Sequence, residues 1–213
     1  MKSLKNKKIL ITCGPTWVSL DAVRVMSNQS SGELGHILAM DCQKAGAEVT
    51  LLEGPVQNPL KAGGIKVVKF VFFEELAQLL KRELRKKYDV LIHAAAVADY
   101  RPAKVFPGKI DSAAPQLNLK FIRTPKLINT VKKIAPKIFL IGFKLEPKVG
   151  KHNFKKITKK LFNEARCDLA VANSSNKRKY SGYLVDCERR VLAHAASRQK
   201  LSQNLITIIK EKI

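Results

Sequence analysis

The strongest constraint on this chain is a series of short, continuously apolar runs that each stop abruptly at glycine, proline or small residues. Lys8-Ile9-Leu10-Ile11-Thr12-Cys13 halts at Gly14-Pro15-Thr16, and Glu48-Val49-Thr50-Leu51-Leu52-Glu53 halts at Gly54-Pro55. Asp89-Val90-Leu91-Ile92-His93-Ala94 runs into Ala95-Ala96-Val97-Ala98-Asp99-Tyr100, and Ile138 to Phe143 and Asp168 to Asn173 repeat the pattern. Runs of this length without polar alternation predict strands buried on both faces. That is the habit of parallel sheet, whose neighbours need crossover connections.

The intervening segments supply those crossovers. Leu34, Ile37, Leu38 and Cys42 follow helical spacing until Gly46, and Phe73 to Tyr88 carries Leu76, Leu79, Leu80 and Leu84 on one face with basic residues mostly outside it. Thr124-Pro125 predicts a helix start with proline in the first turn, running to about Ala135. A lysine-rich helix is expected over 151–166, a hairpin over Gly182 to Asp186 and Arg190 to Ala193, and a closing helix over Ser197 to Lys212. Pro102 to Pro115 reads as a long loop of the length usually kept for lids or binding segments. The expectation is therefore an α/β fold, a Rossmann-like open, mostly parallel sheet with helices on both faces. One domain would span 1–213, with a mobile loop at about 105–117.

Composition narrows the partners. With 46% hydrophobic and 27% charged residues, the 213-residue chain can bury a core, which excludes general disorder. Forty Lys and Arg against 17 Asp and Glu leave a formal charge of +23, a surface that attracts phosphates on nucleic acid or on small metabolites. Cys13, Cys42, Cys167 and Cys187 form no C-x-x-C pair, so buried thiols in a reducing cytoplasm are expected, with neither zinc cluster nor disulfide framework. No run approaches the roughly 20 apolar residues of a membrane-spanning helix, and the basic start leads into too short an apolar stretch for a signal peptide.

In open α/β sheets ligands sit beyond the carboxyl ends of the strands. Gly14-Pro15-Thr16, Asn28-Gln29-Ser30-Ser31-Gly32, Ala94 to Tyr100 and Phe143 to Glu146 all fall at such ends or at a helix start, where free N–H groups favour phosphate. Each also has a plainer reading. Ser30 and Ser31 could cap a helix, Asp99 could pair with Arg101, Lys109 could be a solvated charge, and His36 and His93 could be structural. A Rossmann-like reductase is disfavoured because G-x-G-x-x-G is missing after the first strand. A basic nucleic-acid-binding protein is disfavoured because aromatics are 7% and not interleaved with the basic runs.

Taken together, these stretches resemble the phosphopantothenate-cysteine ligase family, the synthetase of coenzyme A biosynthesis. The resemblance rests on Ile9 to Thr16, on Val23-Arg24 followed by Asn28-Gln29-Ser30-Ser31-Gly32, and on Gly46 to Pro55. It continues in Ala95-Ala96-Val97-Ala98-Asp99-Tyr100-Arg101-Pro102, Thr124-Pro125, Gly142-Phe143-Lys144-Leu145-Glu146 and Asp168 to Asn173. It implies joining of 4'-phosphopantothenate to L-cysteine through an acyl-nucleotide made from CTP, or from ATP, with Mg²⁺ on the triphosphate. A homodimer is implied as well, with no flavin and with a decarboxylase on a separate polypeptide, since the chain starts at the first synthetase strand.

Position by position, the resemblance implies that Asn28 holds the acyl-nucleotide for attack by cysteine and that Arg24 and Ala96 serve the phosphopantothenate side. His93, Ala94, Ala95 and Asp99 line the nucleotide, Pro125, Lys126, Leu127 and Ile128 lie near the triphosphate, and Phe143 lies by the base. Lys109 is the loop lysine used in forming the acyl-nucleotide. Two positions depart from the family pattern. Its K-x-K-K loop motif reads Lys109-Ile110-Asp111-Ser112 here, and its second pair of lysines, four apart, reads Lys160 and Glu164. Lys144, Lys155, Lys156 or Lys159 are candidates to substitute.

Overall fold

The computed structural model describes residues 3–113, 115–150, 152–175 and 179–213. The chain enters through β1 (Lys8–Cys13), whose Ile9, Leu10 and Ile11 are fully buried. Burying each such side chain contributes about 1.5–3 kcal/mol, which suits a short strand paired on both edges inside the sheet. A small antiparallel hairpin of β2 (Trp17–Ser19) and β3 (Val25–Ser27) follows outside the sheet. The first crossover is α1 (Glu33–Lys44), leading to β4 (Glu48–Glu53), which pairs parallel to β1 with Ile9 opposite Val49. β5 (Ile65–Lys69) adds the outer strand on that side, and α2 (Phe73–Leu84) crosses back to β6 (Val90–His93), which pairs with the other edge of β1.

A second hairpin outside the sheet, β7 (Tyr100–Pro102) with β8 (Phe121–Arg123), precedes α3 (Ile128–Ile134). β9 (Phe139–Leu145), α4 (Phe154–Asn163) and β10 (Leu169–Ser175) extend the parallel ladder. β11 (Tyr180–Asp186) and β12 (Val191–Ala195) close that edge as an antiparallel hairpin, and α5 (Arg198–Lys212) ends the chain. The spatial order is β12-β11-β10-β9-β6-β1-β4-β5. Leu38, Cys42, Leu201 and Leu205, from α1 and α5, pack on one face, and Leu76, Leu80, Val131 and Leu161, from α2, α3 and α4, pack on the other. The expected mostly parallel Rossmann-like sheet is the observed one. No helix among the described residues is long and apolar enough to cross a membrane.

Three boundaries differ from the sequence expectation for identifiable reasons. The helix predicted at Thr124 starts at Ile128, because the Thr124 hydroxyl donates to the Ala98 carbonyl (2.6 Å) and its N–H to the Asp99 carbonyl (3.0 Å). The lysine-rich helix spans Phe154–Asn163, because Asn153 is spent on a turn, accepting from Gly150 N–H (2.8 Å) and donating to the Lys148 carbonyl (3.0 Å). The helix from Phe73 ends at Leu84, ahead of Lys87 with φ 58°. Cys13, Cys42 and Cys167 are buried as expected, but Cys187 is exposed in the turn between β11 and β12 and corrects the expectation for that thiol.

Candidate functional site

Sequence order reverses direction in space at β1, since β4 lies on one side of it and β6 on the other. The loops leaving β1 and β6 therefore part, and a crevice opens beyond their carboxyl ends, the place where doubly wound sheets bind ligands. Backbone bonds lock the two loops at its base. Ala96 N–H donates to the Gly14 carbonyl (2.8 Å), and Ala98 N–H donates to the Thr16 hydroxyl (2.9 Å). The resulting cavity has a volume of about 650 Å³.

His93 ends β6 at the cavity floor. Its Nδ1 lies 2.9 Å from the Thr12 hydroxyl, which also accepts the Ala95 N–H at 3.2 Å. Burial pushes this imidazole down to about 4, so the floor is neutral at pH 7. Ala94, Ala95 and Ala96 follow with small side chains that leave backbone open to a ligand.

The wall formed by the start of α1 depends on two glycines. Gly32, at the helix N-cap, has φ 74°, and an added Cβ would stand 2.8 Å from Val56 Cγ1. A Cβ on Gly35 would stand 2.2 Å from Cys13 Cβ, so only glycine lets the helix lie this close to β1. No side chain caps the helix through the N-cap residue, although the Ser31 hydroxyl accepts Glu33 N–H at 3.3 Å. A 12-residue helix aimed in this way presents partial positive charge to the cavity.

Asn28 sits at the mouth, where its Nδ2 donates to the carbonyls of Ala96 (3.1 Å) and Val97 (3.3 Å). Two carbonyl acceptors on one side fix the amide orientation and leave Oδ1 available to accept. Asp99 lies on the same cavity and is paired with Lys126 rather than with Arg101. Both members of that pair are half exposed, so it contributes at most about 1 kcal/mol and can open to a ligand.

The cavity brings together Asn28, His93, Ala94, Ala95, Ala96, Asp99, Pro125, Lys126, Leu127, Ile128, Phe143 and Lys160. Lys144 lines it too, whereas Lys155, Lys156 and Lys159 do not. Arg24 and Lys109 stand together elsewhere, on the β2–β3 hairpin and the loop after β7, outside this chain's own cavity. That loop, 103–120, is longer than read from sequence, and backbone bonds from Phe106 to Leu20 (3.2 Å) and from Ala22 to Gly108 (3.4 Å) tie down its first part.

The sequence reading did not single out Tyr180 and Arg198, and it took Asn173 only as a strand end. The Asn173 side chain and the Tyr180 hydroxyl are buried in the wall, where they interact with each other. The Arg198 guanidinium lies 5.3 Å from the Tyr180 ring centroid and 3.5 Å from Glu33. Tyr180 and Arg198 begin their elements, and only the folding of the last hairpin and helix over β10 brings them here.

Among the described residues, Cys13, His36 and Glu53 gather donor atoms within 4.8 Å of one another. The Glu53 oxygens are already taken by His36 Nε2 (2.6 Å), Leu60 N–H (2.9 Å) and Lys69. Burial and the Lys69 charge keep His36 below its ordinary value, and burial pushes the Cys13 thiol up to about 12. The group is a closed hydrogen-bonded network around the Glu53–Lys69 ion pair rather than an open ligand set.

Known proteins resemble this chain in sequence and in fold. "Coenzyme A biosynthesis bifunctional protein CoaBC" of Thermococcus kodakarensis is 38% identical over 174 residues, which cover 81% of this chain and 42% of that protein. The chain thus spans about two-fifths of the length of the curated relatives it matches. The crystal structure of the DNA/pantothenate metabolism flavoprotein from Streptococcus pneumoniae superposes with a TM-score of 0.87 at 26% identity, covering 97% of this chain and all of that one. The C-terminal domain of a CoaBC protein superposes with a TM-score of 0.81 at 27% identity, over 100% of this chain and 98% of that one. With residues 4–212 matching as well, the chain belongs to the family of the DNA/pantothenate metabolism flavoprotein C-terminal domain.

Proposed function

We propose that this chain is a phosphopantothenate-cysteine ligase acting through an acyl-nucleotide. In the first step the carboxylate of 4'-phosphopantothenate attacks the α-phosphorus of a nucleoside triphosphate and pyrophosphate leaves. In the second, the amine of L-cysteine attacks the acyl carbon, the nucleoside monophosphate leaves with the former carboxylate oxygen, and the amine proton passes to solvent. The observation that carries this reading is the convergence of Asn28 and Asp99, 71 positions apart, on one cation-rimmed cavity at the sheet's crossover point.

The phosphates are met by the α1 N-terminus, Ser30, Ser31, Lys126 and Lys160, and the half-buried Phe143 ring gives the base an apolar surface. The alanines after β6 let the acyl chain lie against backbone. Asn28 Oδ1 accepts an N–H of the incoming amine and so aims its lone pair at the acyl carbon. Of the cavity's carboxylates, Glu33 is engaged with Arg198 (3.5 Å) and Glu164 with Asn129 (3.5 Å), while Asp99 is paired with Lys126, which the phosphates would draw away. This suits Mg²⁺ held mainly by the phosphates and water, where it would neutralise charge on the departing pyrophosphate.

CTP is the proposed nucleotide over ATP, on family resemblance. A homodimer is proposed because Arg24 and Lys109 lie off their own chain's cavity while Val23, Val25, Phe106 and Ile122 expose apolar surface on the same side structures. The dimer would be cytoplasmic. The test is release of pyrophosphate and monophosphate from CTP and from ATP, with phosphopantothenate, with and without cysteine. Pyrophosphate that requires phosphopantothenate, and an amide product that requires both substrates, support the ligase. Salt-sensitive binding to nucleic acid without turnover would overturn it.

A further inference from the structure

We propose that Asp21 is a positioning residue for acyl-nucleotide formation, a buried carboxylate that fastens the hairpin bearing Arg24 to the loop bearing Lys109 and so fixes the Arg24 guanidinium against the backbone that carries Lys109. The proposal rests on the ligase reading given above. The Asp21 side chain is fully buried and both of its oxygens are used. Oδ1 accepts the backbone N–H groups of Val23 (2.8 Å) and Arg24 (2.6 Å), which alone would make an ordinary turn between β2 and β3. Oδ2 does something a turn does not need. It accepts Arg24 Nη1 (3.2 Å) and reaches 89 residues along the chain to the N–H of Ile110 (3.0 Å).

Arg24 Nη1 also donates to the Ile110 carbonyl (3.3 Å), and Ala22 N–H donates to the Gly108 carbonyl (3.4 Å). Backbone on both sides of Lys109 is therefore held to the one turn between β2 and β3, while Lys109 itself is exposed to solvent. The Ile110 hydrogen bond is also the largest cause holding the Asp21 carboxyl below its usual range, so the clamp stays charged in mild acid. One carboxylate thus sets an arginine head group and the backbone of a lysine in fixed relation, where a misplacement of an ångström can cost a hundredfold in rate.

Asp21→Asn keeps the size but can satisfy either the turn or the loop, not both. Ile110→Pro leaves the turn's own bonds intact and removes the loop's donor, while also restricting the backbone at Lys109, so it serves as the second variant if Asp21→Asn does not fold. Hydrogen exchange of 105–113 and steady-state pyrophosphate release are measured on the full chain. Either variant should speed exchange over 105–113, lower kcat for the first step by roughly tenfold or more and raise the phosphopantothenate KM. In an Arg24→Ala/Lys109→Ala background the same change should cost less than about twofold, because the groups it positions are gone.

Unchanged loop exchange, or an undiminished penalty in that background, would overturn the proposal. If the unaltered chain releases no pyrophosphate with phosphopantothenate, the ligase reading and the first-step role fall together. Faster exchange in the variants would then still distinguish a real clamp from none.

Discussion

Acidification isolates the cavity floor. His93 is buried at the end of β6, with its Nδ1 held by Thr12, and burial pushes it down to about 4 from an ordinary 6.5. The folded state therefore keeps this ring neutral while the unfolded chain takes up a proton near pH 6.5. Above that pH the group adds no pH dependence. Between 6.5 and 4 the unfolded state binds more protons, so stability falls as pH falls, and below 4 the effect levels off. At roughly 1.4 kcal/mol per pH unit this gap is worth about 3 kcal/mol in full, most of it lost by pH 4.5. Urea unfolding at pH 7.5 and 4.5, on the unaltered chain and on His93→Gln, separates this from carboxylates that titrate in both. The unaltered chain should lose about 2–3 kcal/mol more than the variant over that interval. Equal losses, or a His93 imidazole NMR signal, assigned by its absence in His93→Gln, that titrates near 6.5, would refute the reasoning.

Three further outcomes follow from the geometry around the cavity. Thr12→Val removes the hydroxyl shared by His93 and Ala95 N–H; two polar groups left unpaired cost about 1–3 kcal/mol each, and a loss below about 1 kcal/mol in chemical denaturation would contradict it. Gly35→Ala forces a Cβ to within 2.2 Å of Cys13 Cβ, so α1 must lift; destabilisation of about 1–3 kcal/mol or more and weaker nucleotide binding by calorimetry are expected, against no change in either. Asn28→Asp replaces a donor facing two carbonyl oxygens with an acceptor, so acyl-nucleotide should accumulate in quenched reactions while amide formation collapses; a normal rate of final product would count against the role given to Asn28.

The central sheet was legible because β1, β4, β6, β9 and β10 are buried on both faces and so read as unbroken apolar runs. β5 escaped notice because lysines flank and interrupt its Ile65, Val67 and Val68, as suits an edge strand that is only partly covered. β2, β3, β7 and β8 have three residues each, too few to show a period, and long-range bonds such as Asp21 to Ile110 hold the structures around them. Cavity residues at strand ends, such as His93, Asp99 and Phe143, could be located from topology before any coordinates. Tyr180 and Arg198 could not, because their approach depends on how the last hairpin and α5 fold back over the sheet. The pairing of Asp99 with Lys126 was hidden for the same reason, being settled by where the chain turns after β8.

The fate of oxygen tests the central claim most directly. Phosphopantothenate labelled with ¹⁸O at both carboxylate oxygens is turned over with cysteine and nucleoside triphosphate, and the phosphorus-containing products are weighed by mass spectrometry. Attack on the α-phosphorus predicts one ¹⁸O in the nucleoside monophosphate and none in pyrophosphate. Label in orthophosphate, with nucleoside diphosphate as the co-product, would mean an acyl-phosphate route and would contradict the account.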